Sequence, residues 1–138
     1  LSVEAPVGSI DRFLQRLPAS LKGTRWALTL QAGASLVAPI AAWDRIHLYV
    51  DVDSDRALAD TARGAGWPIG DGKVVLMRPW YAESVWFGLE RRKGLPVVSE
   101  LQLILDLWQY PVRGLEQAEH LLEHAERRMG IGERSANA

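Results

Sequence analysis

The chain lacks cysteine, which excludes disulfide bonds, cysteine-ligated zinc and a thiol nucleophile. It lacks any apolar run near the roughly 20 residues of a membrane helix, and its first residues do not follow a signal-peptide pattern. An excess of one charge is also missing, because 16 basic and 17 acidic residues leave a net charge of -1. These absences argue against membrane contact and broad nucleic-acid binding, and they predict a cytoplasmic protein.

Tryptophan, by contrast, is abundant, with six residues in a chain of 138. Such a content predicts a tryptophan-rich core or an aromatic contact surface. The length predicts one globular domain, which we place at residues 1–130, followed by a flexible tail at 131–138. The chain begins with Leu and not Met, so we expect a fragment, a processed form or a tagged form.

The hydrophobic pattern predicts alternating helices and strands. Helices are expected at 8–17, capped by Ser9 and ended by Pro18; at 30–38, capped by Thr29; and at 55–63. Strands are expected at 44–52, 72–79, 83–89 and 95–99. Together they predict an α/β or α+β domain, with a small mixed sheet of about three to five strands, helices on the N-terminal side and two packed C-terminal helices.

The two C-terminal helices have the clearest apolar pattern. The first, starting at Glu100, is so apolar that most of its surface is expected to be buried. Its main stripe is Leu101, Ile104, Leu105 and Trp108, widened by Leu103 and Leu107. The second helix has a narrower stripe of Leu115, Ala118, Leu122, Ala125 and Met129.

A His-x-x-Glu-His pattern lies on this last helix, at His120, Glu123 and His124. One class of zinc peptidases uses this pattern, but it needs a third protein ligand well downstream. Only Glu126 and Glu133 follow, in a helix end and a tail, so we interpret the histidines as solvated. We predict no metal, no other cofactor and no catalytic residue for the chain.

Asp51, Asp53 and Asp55 alternate at the end of a predicted strand. Paired carboxylates at such a position hold magnesium in nucleotidyltransferases, so a reduced enzyme of that kind, using Asp51 and Asp53, is the alternative function. The glycine-rich element that seats the phosphates is not in the required place. Capping of the next helix by Ser54 or Asp53 explains the same residues, with Asp55 in its first turn.

Aromatic side chains at Trp67, Trp80, Tyr81 and Trp86 lie in predicted loops or short elements. They either pack in the core or form a partner surface, because Trp and Tyr supply most binding hot spots. A basic cluster of Arg91, Arg92 and Lys93 precedes Gly94 and predicts a turn. We take all seven residues as candidate partner contacts.

Part of the chain resembles a known family. The AbiEi-type antitoxins, transcriptional regulators of type IV toxin–antitoxin systems, close with a Val-Ser strand end, a Gln-x-x-x-Asp-Leu helix, an Arg-Gly turn and a Glu/Ala-rich helix. The matching positions are Val98, Ser99, Gln102, Asp106, Leu107, Arg113, Gly114, Ala118 and Glu119. The similarity extends over most of residues 24–124, and residues 102–114 are its most specific part.

This resemblance implies a non-catalytic regulatory domain that counteracts a nucleotidyltransferase-type toxin. Its partner would be the cognate toxin or the target of that toxin. Family members usually begin with a winged helix-turn-helix, and residues 9–22 supply one helix only. We therefore expect either the C-terminal domain of a longer regulator or a stand-alone relative, with DNA bound only through the missing N-terminal domain.

The most family-like residues are Gln102, Asp106, Arg113 and Gly114. Their pattern indicates a structural role and not a catalytic one. Gln102 and Asp106 form a polar line on an apolar helix and need partners if they are buried. We expect Arg113, just past the helix end, to pair with Asp106 and hold the last two helices together.

Overall fold

The computed structural model describes residues 1–38, 43, 45–110 and 114–129. Arg113 and the predicted tail at 131–138 lie outside these residues, as does the side chain of Met129. The elements are β1 Ser2–Val3, α1 Ile10–Ser20, β2 Trp26–Thr29, α2 Leu30–Ser35, β3 Ile46–Val50, α3 Asp55–Gly64, β4 Val74–Met77, α4 Ala82–Trp86, β5 Glu90–Arg92, β6 Leu95–Val97, α5 Glu100–Trp108 and α6 Gly114–Met129. The predicted mixed α/β class is confirmed.

The strands form one six-stranded mixed sheet in the order β1-β4-β3-β2-β6-β5, which is more strands than predicted. β2 lies at the centre, antiparallel to β3 and parallel to β6. β3 and β4 are parallel, and α3 connects them. The two outer strands, β1 and β5, pair antiparallel with β4 and β6.

The sequence prediction missed β2, although all four of its residues are buried. The strand runs directly into α2, and Thr29 is both the last residue of β2 and the N-cap residue of α2. Leu30 makes the turn by adopting a left-handed backbone conformation with φ of 52°, which is rare for a large side chain. Thr29 occupies the N-cap position, but its side chain makes no capping bond.

Two further predictions about helices are wrong. α1 does not end at Pro18 but continues to Ser20, and the backbone N–H of Leu21 donates to the carbonyl oxygen of Leu17 at 2.9 Å beyond the proline. Residues 83–89, predicted as a strand, contain most of α4 instead. Short apolar runs fit either period, and here the burial of Val85 and Trp86 selects the helix.

The helices α5 and α6 bury faces that overlap only in part with the predicted stripes. On α5, Leu103 and Leu107 are fully buried, whereas Leu101, Leu105 and Trp108 are exposed. A helix with apolar residues on several sides does not specify which of them meets the core, so its contacts with the sheet and α2 decide. On α6, the buried residues are Gly114, Gln117, Ala118, Leu121 and Ala125, and the predicted core residues Leu115 and Leu122 are exposed.

Helices cover both faces of the sheet. Asp106 of α5 bonds to Thr29 and Tyr49, which share one face, and α2 and α6 join α5 on this side. The opposite face carries the fully buried residues Leu28, Ile46, Leu48, Val50, Val74 and Leu76. We infer that α1 and α3 cover it, since both bury apolar side chains in the same core cluster. Within the described part of the chain, no helix has the length and apolar content to cross a membrane.

Candidate protein-binding site

The most exposed aromatic residues cluster around the short helix α4. Trp80 is 96% exposed, Tyr81 is 79% exposed and Phe87 is 82% exposed. An open groove of about 790 Å³ lies beside them, lined by Tyr81, Ala82, Glu83, Ser84 and Phe87. We name Trp80 together with these five residues the α4 surface.

Local bonds and two buried side chains hold α4 in place. The Ser84 hydroxyl and the backbone N–H of Val85 both donate to the carbonyl oxygen of Tyr81, at 3.0 and 3.2 Å. Val85 and Trp86 point into the core and anchor the helix. The aromatic rings at its two ends therefore remain exposed on a fixed backbone, rather than on a loop without hydrogen bonds.

Two of the predicted contact residues are core residues instead. Trp67 is buried, and its ring lies 5.7 Å from that of Phe13 on α1. Trp86 is also buried, and the guanidinium of Arg25 lies 4.9 Å from the centre of its ring. Neither indole presents a face to a partner, so the prediction of a partner contact does not hold for them.

Phe87 is the aromatic residue that the sequence prediction missed. It directly follows the buried Trp86, and the predicted strand 83–89 did not indicate that one ring is buried and the other exposed. The signal was Gly88, which adopts φ of 71° and ends the element immediately after Phe87.

The basic cluster divides into a paired residue and two exposed ones. Arg92 binds the carboxylates of Glu90 and Glu100, at 2.6 and 3.1 Å. Arg91 and Lys93 are exposed, and Arg91 donates to the carbonyl oxygen of Gly94 at 3.0 Å. The predicted turn is present at Lys93 and Gly94, where both residues have positive φ, and it joins β5 to β6.

The family-like residues of α5 form a polar cluster against the sheet. Asp106 accepts hydrogen bonds from the Thr29 hydroxyl at 2.6 Å, the Tyr49 hydroxyl at 3.0 Å and the Gln102 side-chain amide at 2.8 Å. Burial, and then the adjacent Asp106 carboxylate, raise the pKa of Tyr49 above its ordinary value. Because each of these three donors bonds to the same carboxylate, the cluster fixes α5 against the sheet. The expected partner Arg113 lies outside the described residues.

Gly114 has a packing role at the start of α6. A Cβ atom at this position would lie 2.1 Å from the carbonyl oxygen of Leu107 and 2.7 Å from Cβ of Tyr110. Only glycine lets the two helices approach this closely. The family-like pattern therefore includes a residue that sets the distance between α5 and α6.

The carboxylates of Asp51 and Asp55 each lie near an arginine, and the backbone of Asp53 accepts a hydrogen bond. Ser54 caps α3 by accepting from the N–H of Ala57 at 3.0 Å, as predicted. Arg78 bonds to the Asp55 carboxylate at 3.0 Å and to the Asp53 carbonyl oxygen at 2.9 Å. Asp51 lies 3.9 Å from Arg25. Among the described residues, no three His, Cys, Asp or Glu side chains lie close enough together to hold a metal ion.

Comparison with known proteins adds no assignment. No family model, curated protein or solved structure matches the chain. The resemblance of residues 24–124 to the AbiEi-type antitoxins therefore stays a prediction from the sequence.

Proposed function

We propose that the chain is a non-catalytic interaction domain, the antitoxin module of an AbiEi-like regulator. It would act in the cytoplasm against a nucleotidyltransferase-type toxin and take part in transcriptional autoregulation when joined to a DNA-binding domain. The observation that carries the proposal is the α4 surface, where Trp80, Tyr81 and Phe87 are each at least 79% exposed.

Aromatic exposure of this degree supports a binding role. Burial of a large aromatic ring is favourable, so a ring left in water can gain free energy by binding a partner. Contiguous exposed apolar patches mark interaction sites. Trp and Tyr also combine a large apolar area with a polar atom, which explains why they dominate binding hot spots. We therefore assign partner contact to Trp80, Tyr81 and Phe87, with Arg91 and Lys93 as candidate charged contacts.

The polar cluster of α5 supports the non-catalytic part of the proposal. Asp106 accepts hydrogen bonds from three side chains, and two of them, those of Thr29 and Tyr49, join α5 to β2 and β3. A carboxylate that accepts three hydrogen bonds is held in one orientation. We therefore interpret Gln102, Asp106 and Gly114 as residues that shape the domain and not as reacting groups.

Growth rescue tests this function. The product of the neighbouring reading frame is expressed with and without this chain, and colony formation is followed. We expect rescue by the chain and its loss in Trp80→Ala/Phe87→Ala, because that variant removes the two most exposed rings of the α4 surface. The matched control is Ile69→Ala, which removes a half-exposed apolar side chain outside the α4 surface and should keep rescue.

Expression level and thermal unfolding of each variant are measured alongside, so that a folding defect is recognised. If the neighbour is toxic and the chain does not rescue growth, the stand-alone antitoxin role is wrong. If Trp80→Ala/Phe87→Ala rescues as well as the parent chain, the α4 surface is not the contact site.

A further inference from the structure

A second exposed apolar surface lies on the helical hairpin formed by α5 and α6. Its five large side chains are between 41 and 67% exposed. We name this set the hairpin face: Leu101, Leu105, Trp108, Leu115 and Leu122. None of these residues belongs to the α4 surface, so a role for the hairpin face is independent of the proposed function.

The two helices of the hairpin are antiparallel and closely packed. At one end, the Arg128 guanidinium donates to the carboxylate of Glu100, with Nη2 and Oε2 2.8 Å apart. At the other end, Gly114 lies against the carbonyl oxygen of Leu107. The start of α5 therefore lies beside the end of α6, and the start of α6 lies beside the end of α5.

On α5, the exposed residues lie on the outer side of the contact with α6. Leu101, Leu105 and Trp108 follow the i, i+4, i+7 spacing of one helix face. Viewed down the helix, Glu100, which meets α6, lies between the buried Leu103 and this exposed face. The exposed face of α5 therefore adjoins α6 on the side away from the core.

On α6, the exposed residues lie on the same outer side. Gln117 faces α2, where its side-chain oxygen accepts from Gln31 at 3.1 Å. Gly114, which faces α5, lies between Gln117 and the exposed residues Leu115 and Leu122 when α6 is viewed down its axis. The apolar residues of both helices thus border one outward groove along the hairpin.

The two borders of this groove differ in charge. On the α6 side, Glu119 and Glu126 lie next to Leu115 and Leu122, and neither carboxylate forms an ion pair with a described residue. By contrast, Glu123 pairs with Arg127 at 3.4 Å. On the α5 side, the corresponding residues are the uncharged Gln102 and Gln109. The groove therefore has one anionic border and one neutral border.

We propose that the hairpin face binds an amphipathic helix of a partner protein, with lysine or arginine along one border of its apolar stripe. The apolar stripe would fill the groove between α5 and α6, as amphipathic helices do in other helix-in-groove complexes. The cationic border would lie against Glu119 and Glu126. An anionic membrane would bring further negative charge to the same border, so it fits the groove less well.

Synthetic peptides of about five helical turns test this assignment. The first peptide repeats leucine with the i, i+4, i+7 spacing and carries lysine on one border; the second has glutamate in place of lysine; the third has the composition of the first in scrambled order. Binding to the full chain is measured by fluorescence anisotropy at low and high salt. We expect the lysine peptide to bind at least roughly tenfold more tightly than the other two, with a preference that decreases as salt rises.

Variants of the chain separate the apolar and the electrostatic contributions to peptide binding. Leu105→Asp should abolish binding and lower the melting temperature by only a few degrees, because Leu105 is half exposed. Glu119→Lys/Glu126→Lys should reverse the preference, so that the glutamate peptide binds more tightly. The matched control is Ile69→Asp, at an equally exposed apolar residue outside both surfaces, and it should bind the lysine peptide like the parent chain.

Three results would overturn the assignment. The first is no binding of the lysine peptide, and the second is equal binding of the lysine and scrambled peptides. The third comes from sedimentation velocity: a dimer of the parent chain that Leu105→Asp converts to monomer would show that a second copy occupies the hairpin face.

Discussion

The hydroxyl of Thr29 donates a hydrogen bond of 2.6 Å to Oδ2 of Asp106, and this bond connects the last residue of β2 to α5. Thr29 is fully buried, so its hydroxyl has no water to replace the carboxylate. The bond also explains why Thr29 occupies the N-cap position of α2 without capping it, because its side chain is directed to α5.

Loss of this carboxylate should destabilise the fold. In Asp106→Ala, the hydroxyls of Thr29 and Tyr49 and the amide of Gln102 all lose their acceptor. We expect the free energy of unfolding to fall by about 3 kcal/mol, measured by urea denaturation. The control is Asp60→Ala, which breaks an exposed pair with Arg63 and should cost less than about 0.5 kcal/mol. Equal losses in the two variants would contradict the structural role of Asp106.

Alkaline pH should weaken the fold through Tyr49. Burial, followed by the adjacent Asp106 carboxylate, raises the pKa of Tyr49 above the ordinary tyrosine value of about 10. The folded state therefore holds the phenol proton more tightly than the unfolded state does. Its contribution to stability is complete below about pH 10 and is lost as pH rises through the folded-state pKa.

Tyr49→Phe isolates this effect. We expect the free energy of unfolding to fall less steeply above about pH 10 in Tyr49→Phe than in the parent chain, because the variant has no proton to lose at this position. Urea denaturation at several pH values between about 8 and 11 measures the difference. Identical slopes for the two proteins would show that Tyr49 titrates as it does in the unfolded chain.

Substitution of Gly114 should separate α5 from α6. The added Cβ of Gly114→Ala would meet the carbonyl oxygen of Leu107 at 2.1 Å, so one helix must move. We expect a loss of about 2 kcal/mol in the free energy of unfolding, in the range of other overpacking substitutions. Gly64→Ala is the matched control, since Gly64 ends α3 with no atom near its added Cβ, and it should stabilise the chain by about 0.5 kcal/mol. An unchanged free energy of unfolding in Gly114→Ala would mean that the two helices are less closely packed.

A substitution in the turn between β5 and β6 should stabilise the fold. Lys93 has φ of 51°, in a two-residue turn whose second residue, Gly94, has φ of 78°. Asparagine adopts this conformation more readily than lysine does, so Lys93→Asn should raise the free energy of unfolding by about 0.5 kcal/mol. Lys93→Ala removes the same charge, but alanine does not favour a positive φ, so this variant should not raise the free energy of unfolding. Thermal denaturation of the two variants would distinguish a backbone effect from a charge effect.

The features that the sequence predicted well depend on neighbouring residues. Ser9 and Ser54 mark the starts of α1 and α3 because a helix cap involves side chains and N–H groups only three residues apart. β3 and β4 lie within their predicted ranges because their apolar residues alternate or run continuously. The start of α5 at Glu100 was predicted for the same local reasons.

The features that were missed depend on distant residues. β2 has only four residues and is defined by pairing with β3 and β6. The exposed rings of Trp80 and Tyr81 and the buried indoles of Trp67 and Trp86 are equally apolar in sequence. The fold separates them, because Trp67 and Trp86 lie in the core cluster, where they contact Phe13 and Arg25 respectively. Composition therefore predicted aromatic contacts without showing which rings a partner can reach.

The central position of β2 has a consequence for synthesis of the chain. β2 is among the first strands to be made, yet its parallel neighbour β6 is the last. Until Val97 has left the ribosome, the edge of β2 that pairs with β6 has no strand beside it and exposes its backbone N–H and C=O groups. A truncated chain that ends before β6 would thus offer this apolar edge to other chains and be prone to aggregate.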